Sequence, residues 1–143
     1  MGNKIEIMDT TLRDGEQTSG VSFSISEKLT LAKLLLQELN IDRIEIASAR
    51  VSKGELEAVK EITSWGESNN YLNRIEVLTF VDNGASIEWM KKTGAKVQNL
   101  LTKGSLNHLK HQLKQEPLEH FDNISKSINE AQKESFITNV YLE

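Results

Sequence analysis

The sequence predicts a parallel α/β fold: five strands separated by helices, laid out either as the opening of a (β/α)8 barrel or as a doubly wound open sheet. Three observations carry that expectation. Hydrophobic periodicity switches repeatedly between two and 3.6 residues. The strands are separated by helix-length segments, so successive strands need crossover connections and pair in parallel. The chain stops on an apolar strand with no helix or polar tail after it. A doubly wound sheet fits in 143 residues, whereas a barrel usually takes ~250. Periodicity does not choose between them. The terminal strand leans toward the barrel, with residues 1–143 its N-terminal portion and the C-terminal half barrel and any regulatory domain absent.

The elements follow in order. Lys4 to Met8 reads as the first strand, and Ser24 with Glu27 forms a capping-box pair that opens the first helix. Leu29, Ala32, Leu35, Leu36 and Leu39 then mark one apolar face. Arg43 to Ala47 is the second strand, and Leu56, Val59 and Ile62 line the helix after it. A third strand runs from Arg74 to Val81, ends in a turn at Asp82, Asn83 and Gly84, and leads to a short helix carrying Ile87 and Met90. Ala95 to Leu101 is the fourth strand. Ser105 to Leu113 is helical, and Pro117, the only proline, suits the first turn of a helix that continues through Leu118, Phe121, Ile124, Ile128 and Ala131. Thr138 to Leu142 is the fifth strand.

Composition narrows the function classes. With 38% hydrophobic and 27% charged residues the chain is an ordinary globular sequence with one domain as the default. A formal charge of -4 with no basic stripe argues against nucleic-acid and anionic-membrane partners, which require concentrated Lys and Arg. No cysteine means no disulfide, thiolate nucleophile or Cys-ligated zinc, and suits a reducing cytoplasm. Neither a signal-peptide core nor a run approaching the ~20 apolar residues of a membrane span is present.

Polar residues inside the strands carry more information. Side chains alternate faces along a strand, so Arg43, Glu45 and Ala47 share one face of the second strand, and Asn139, Tyr141 and Glu143 share one face of the fifth. Parallel strands are normally apolar on both faces, so Glu45, Glu76 and Glu143 need a cation, a polar pocket or internal ion pairs, unless Glu143 is exposed at a chain end. Between the first strand and first helix lies DTTLRDGEQTSG, Asp9 to Gly20, at the strand end where parallel α/β folds bind ligands. Arg13 and Asp14 reach one ligand only if the backbone turns there, which Gly15 permits. A carboxylate is a hard oxygen ligand suited to a divalent metal, and a neighbouring Arg stabilises anionic oxygen. Alone, Arg-Asp-Gly reads as a solvated turn before it reads as a functional motif.

The longer stretch is more specific. TLRDGEQ, joined to SFSISEK at Ser22 to Lys28, closely resembles the signature of the isopropylmalate, homocitrate and citramalate synthases, Asp-Arg-Glu metal-dependent TIM-barrel enzymes. DRIEIASARVSKGELEAV from Asp42, RIEVLTFVD from Arg74, AKVQNLLTKGSLNHL from Ala95 and the terminal NVYLE match as well, nearest among subfamilies to the bacterial citramalate synthases. The resemblance implies a divalent metal (Mg2+, Mn2+ or Zn2+) held by Asp14. It implies Arg13 as the group that binds a 2-oxoacid and stabilises its developing oxyanion, and Glu45 as the partner that orients Arg13. It implies Glu143 in activating acetyl-CoA, and Leu78, Leu101 and Tyr141 around the oxoacid side chain. The implied reaction is a Claisen-type condensation, with pyruvate favoured over 2-oxoisovalerate because the Tyr141 ring narrows the pocket. A homodimer is expected of the full-length protein. An isopropylmalate synthase, a related acyl-CoA lyase and a non-catalytic doubly wound module are the alternatives.

The family takes further metal ligands from a His-x-His motif on a later strand, and His108, His111 and His120 do not form one. His108 and His111, three apart, read as a solvated helix face before a zinc pair. The 143-residue chain alone is therefore expected to show little or no condensation. A purified sample free of any longer form, incubated with acetyl-CoA and a 2-oxoacid and assayed for released thiol, checks this, and measurable turnover overturns it.

Overall fold

The computed structural model describes residues 5–143. Its strands are β1 (Met8–Asp9), β2 (Arg43–Ser48), β3 (Ile75–Phe80), β4 (Val97–Thr102) and β5 (Ile137–Leu142). All pair in parallel in the order β1-β2-β3-β4-β5. That order separates the two architectures. A doubly wound sheet reverses its strand order at a switch point, and this one never reverses; it curls as a half-barrel with the helices outside.

The first strand is shorter than its sequence suggests. Lys4 lies outside the described residues, and only Met8 and Asp9 join the ladder. The Ile7 carbonyl still accepts from Arg43 N at 3.1 Å, but the Ile7 N–H donates to the Asp42 carboxylate at 2.9 Å, and Ile5 and Ile7 stay exposed.

Local chemistry accounts for the helices. α1 (Ile25–Lys33) begins at the Ser24–Glu27 capping box, with both reciprocal bonds present. It runs into a π-helical turn, Leu34–Glu38, whose wider pitch breaks the 3.6-residue register. Ala32 and Leu36 are buried as expected, while Leu39 falls past the turn and is exposed. α2 (Lys53–Ser68) is capped by Ser52, which accepts from Glu55 N, and buries Val59 and Ile62. α3 (Ala85–Thr93) follows the predicted turn, where Asn83 and Gly84 both adopt positive φ. Helix α4 (Leu106–His108) is capped by Ser105 and extended by a second π turn, Leu109–Leu113.

The last helix, α5 (Pro117–Lys133), starts on its proline as predicted but is rotated from the expected face. Ala131 is buried, yet His120 and Ser127 are the other buried positions, and Leu118 and Phe121 face outward. His120 sets this rotation: its Nε2 lies 3.0 Å from both Thr102 Oγ1 and the Lys103 carbonyl at the end of β4.

The two faces of the sheet differ in character. Ile44, Ile46, Ile75 and Val77 point outward into a core completed by Leu36, Val59, Ile62 and Met90. The opposite, concave face carries Glu45, Glu76, Asn99 and Asn139, linked to one another as described below, together with Tyr141. Leu12, in the loop after β1, is fully buried in the same core and pins that loop down. Replacing Leu12 with Ala removes packed methyl groups and is expected to lower the unfolding free energy by about 2–5 kcal/mol. Denaturant titration of the variant measures this, and a loss under half a kilocalorie would mean the loop is not anchored there.

Candidate active site

Asp9 organises the loop that leaves β1. Its two carboxylate oxygens accept from Thr11 N at 2.9 Å and Thr11 Oγ1 at 3.1 Å, closing an Asx turn. The Thr10 carbonyl then accepts from Arg13 N (3.1 Å), Asp14 N (2.7 Å) and Gly15 N (3.2 Å), so the chain coils tightly at the strand tip. That coil supplies the turn the sequence reading required. Leu12 points into the core, while Arg13 and Asp14 are both held at the rim.

Arg13 Nε donates to Glu45 Oε2 at 2.5 Å, and Arg13 Nη1 donates to Asp14 Oδ1 at 2.7 Å. Glu45 is 0% exposed, whereas the Asp14 side chain is 61% exposed. A carboxylate buried so completely requires full satisfaction. Glu45 gets it: Oε1 accepts from Asn99 Nδ2 at 2.6 Å. The network continues across the concave face. Asn139 Nδ2 donates to Asn99 Oδ1 (3.0 Å) and Glu76 Oε2 (3.3 Å), and Arg43 Nη1 donates to Glu76 Oε1 at 3.2 Å. Burial raises the Glu76 carboxyl above the ordinary range, with the Arg43 charge working against it.

Tyr141 lies within the field of this network. Its hydroxyl donates to Met8 Sδ at 2.8 Å, tying β5 to β1. Its pKa is pushed up to about 12, first by burial and then by the charges of Glu45 and Glu76. Leu101 is the register partner of Tyr141, and Leu78 is buried on β3. A cleft of about 200 Å3 opens beside Arg13, walled by Gln17, Ala47, Ser48 and Glu55. A larger hollow of about 360 Å3 lies around Gly84, Ile87 and Glu130 on the helical exterior, away from these groups.

Glu143 behaves differently. It continues from β5, its N–H donating to the Thr102 carbonyl at 3.0 Å, and its carboxylate pairs with Lys103 Nζ at 2.5 Å. The Lys103 hydrogen bond and charge hold it below the usual carboxylate range, so it is ionised at neutral pH. Among the described residues no bond joins it to Arg13, Asp14 or Glu45. The structure thus brings three of the four charged candidates together and leaves the fourth in a separate pair at the same end of the sheet.

Of the histidines, His108 Nδ1 lies 3.3 Å from the Glu143 carbonyl, His111 is exposed, and His120 is the buried strap on β4. Among the described residues no three His, Asp or Glu side chains are arranged to hold a metal ion. Asp14 fits the part of one hard oxygen donor: it is exposed at the rim and only Oδ1 is engaged. Asn99, Asn139, Arg43 and Lys103 are the members sequence reading did not assign. Strand parity places the two asparagines inward, but nothing local names their partners.

A curled parallel sheet with polar groups on its concave face and ionised side chains at its strand tips is the opening half of a TIM barrel. The HMGL-like family model matches residues 4–143, and the chain belongs to that family. It is 36% identical over 139 residues to an (R)-citramalate synthase of Methanocaldococcus jannaschii, covering 97% of this chain and 27% of that protein. It is 37% identical over 130 residues to a 2-isopropylmalate synthase of Lactococcus lactis subsp. lactis, covering 91% and 25%. The crystal structure of the HMG-CoA lyase of Bacillus subtilis superposes with a TM-score of 0.73 at 21% identity, covering 99% of this chain and 47% of the lyase chain. The chain therefore spans about a quarter of the length of these curated relatives and about half of the lyase.

Because the neutral Tyr141 phenol is favoured in the folded chain, its contribution to stability is complete below about pH 10 and is lost as the pH rises toward 12. Ultraviolet titration compared with Tyr141→Phe should show the missing phenolate step near pH 12. A step at the ordinary tyrosine value would place the ring in water.

Proposed function

We propose that this chain is the N-terminal part of the catalytic barrel of an acyltransferase that condenses acetyl-CoA with a 2-oxoacid, pyruvate rather than 2-oxoisovalerate. The observation that carries this reading is the doubly held Arg13. Glu45 and Asp14 fix two edges of its guanidinium, and its remaining N–H groups are left for a ligand.

In this reading the free N–H groups of Arg13 grip the oxoacid and meet negative charge as it develops on the carbonyl oxygen. The donors are preorganised, so no reorientation accompanies the step. Asp14 would be one hard oxygen donor to a divalent cation, which would supply Lewis acidity toward the oxoacid. Glu45 fixes the plane of Arg13. Leu78, Leu101 and Tyr141 bound the space for the oxoacid side chain, and a phenol that stays neutral to high pH keeps that wall uncharged. Glu143 directs the acetyl group of the thioester, with only Oε2 taken by Lys103.

Isopropylmalate synthesis is the second reading, supported by relatives of that name at similar identity. The aromatic ring of Tyr141 favours the smaller methyl group. In a polypeptide that also carries the remaining barrel strands, kcat/KM for pyruvate is expected to exceed that for 2-oxoisovalerate; the reverse order hands the assignment to the second reading. Arg13→Lys should lower kcat by about 10²–10³, because a lysine cannot reproduce two fixed edges and a free donor at once.

A further inference from the structure

Lys28 is buried to 2% exposure, yet it is a lysine in the first turns of α1. Its Nζ bonds Glu16 Oε2 at 2.6 Å and Glu55 Oε1 at 2.5 Å. Glu16 sits in the 3-10 turn Gly15–Gln17 that directly follows Arg13 and Asp14, and its other oxygen accepts from Phe23 N at 2.9 Å. Glu55 lies in the first turn of α2. One ammonium therefore joins the loop after β1 to two helices. A buried lysine is retained only when its charge is matched, and here it faces two carboxylates.

Those same two carboxylates wall the cleft beside Arg13. A guanidinium is a better partner for a carboxylate than an ammonium is, because it offers paired donors in one plane. With Lys28 absent, Glu16 and Glu55 would repel each other and present two unmatched charges beside the only guanidinium lining the cleft. Arg13 would then have a choice between Glu45 and the cleft wall. We infer that Lys28 is a positioning residue: by pairing with both Glu16 and Glu55 and offsetting one of their two charges, it keeps Arg13 committed to Glu45, with its remaining donors free for an anion. This rests on the proposed reading only for the identity of the anion; the commitment of Arg13 to Glu45 is a property of the chain itself.

Burial raises the Glu16 carboxyl, yet the hydrogen bonds from Lys28 and Phe23 and the Lys28 charge bring it below its ordinary value, so Glu16 presents a carboxylate at neutral pH. The readout is the Arg13 Nε–H resonance of the chain in heteronuclear NMR, assigned by its loss in Arg13→Lys. It should exchange slowly because its acceptor is fully buried. Lys28→Met is expected to speed that exchange by about tenfold or more. The triple variant Lys28→Met, Glu16→Gln, Glu55→Gln, which lacks both competing charges, is expected to restore it.

Unchanged exchange in Lys28→Met overturns the inference. So does a triple variant that fails to fold or to recover the slow signal, since Lys28 would then act by packing alone; if the single variant does not fold, the triple decides by itself. Adding pyruvate to the wild-type chain tests the functional reading separately. A slow Arg13 signal that pyruvate does not move would count against the oxoacid and leave the role of Lys28 standing.

Discussion

A carboxylate with no exposure to water, placed in the second strand of a parallel sheet, sets the terms for the rest of this molecule. Glu45 can remain there only because Arg13 and Asn99 each give one of its oxygens a hydrogen bond. Arg13 in turn can reach it only if the chain after β1 coils as Asp9 and Thr10 make it coil. The network then passes through Asn99, Asn139 and Glu76 to Arg43. Its members come from the β1 tip and from β2, β3, β4 and β5. The bonds that orient the candidate catalytic arginine are thus the same bonds that hold the concave face together.

Such a network contributes little net stability, since desolvating its charges offsets most of their attraction. The stabilising burial lies on the other face, where Ile44, Ile46, Ile75 and Val77 meet Val59, Ile62 and Met90. The division has a consequence for function. Polar residues on the concave face can be selected for geometry because the convex face carries the packing. Removing one partner is still costly, as it strands a buried charge.

The sequence made the strand faces legible because a period of two needs only neighbours to read. Parity alone put Glu45 on one face and grouped Asn139 with Tyr141. Caps were equally legible: the Ser24–Glu27 partners are three residues apart and the motif is self-contained. What escaped was long range. Arg13 and Glu45 are 32 residues apart, Glu45 and Asn99 54, and Glu76 and Asn139 63. No local pattern marks Lys28 as buried, since its two carboxylates come from a loop and another helix. Leu39, Leu118 and Phe121 failed for a related reason: a π turn and a histidine strap rotate helices away from the face their own periodicity indicates.

The separation of Glu143 from the Arg13 cluster bears on the proposed condensation. All five strands run in one direction, so their C-terminal tips share a rim, but β1 and β5 stand four strand spacings apart along the arc, at ~4.8 Å each. In the proposed reading Arg13 serves an anionic substrate and Glu143 a thioester, and the two would pair with each other if they touched. Here each is held by its own partner: Arg13 by Glu45, and Glu143 by Lys103. In that reading two substrates, whose reacting carbons must approach within ~3.5 Å, would be gripped from separate strand tips. The distance that removes Glu143 from the first cluster is, on this reading, what leaves room for a bond to form between them.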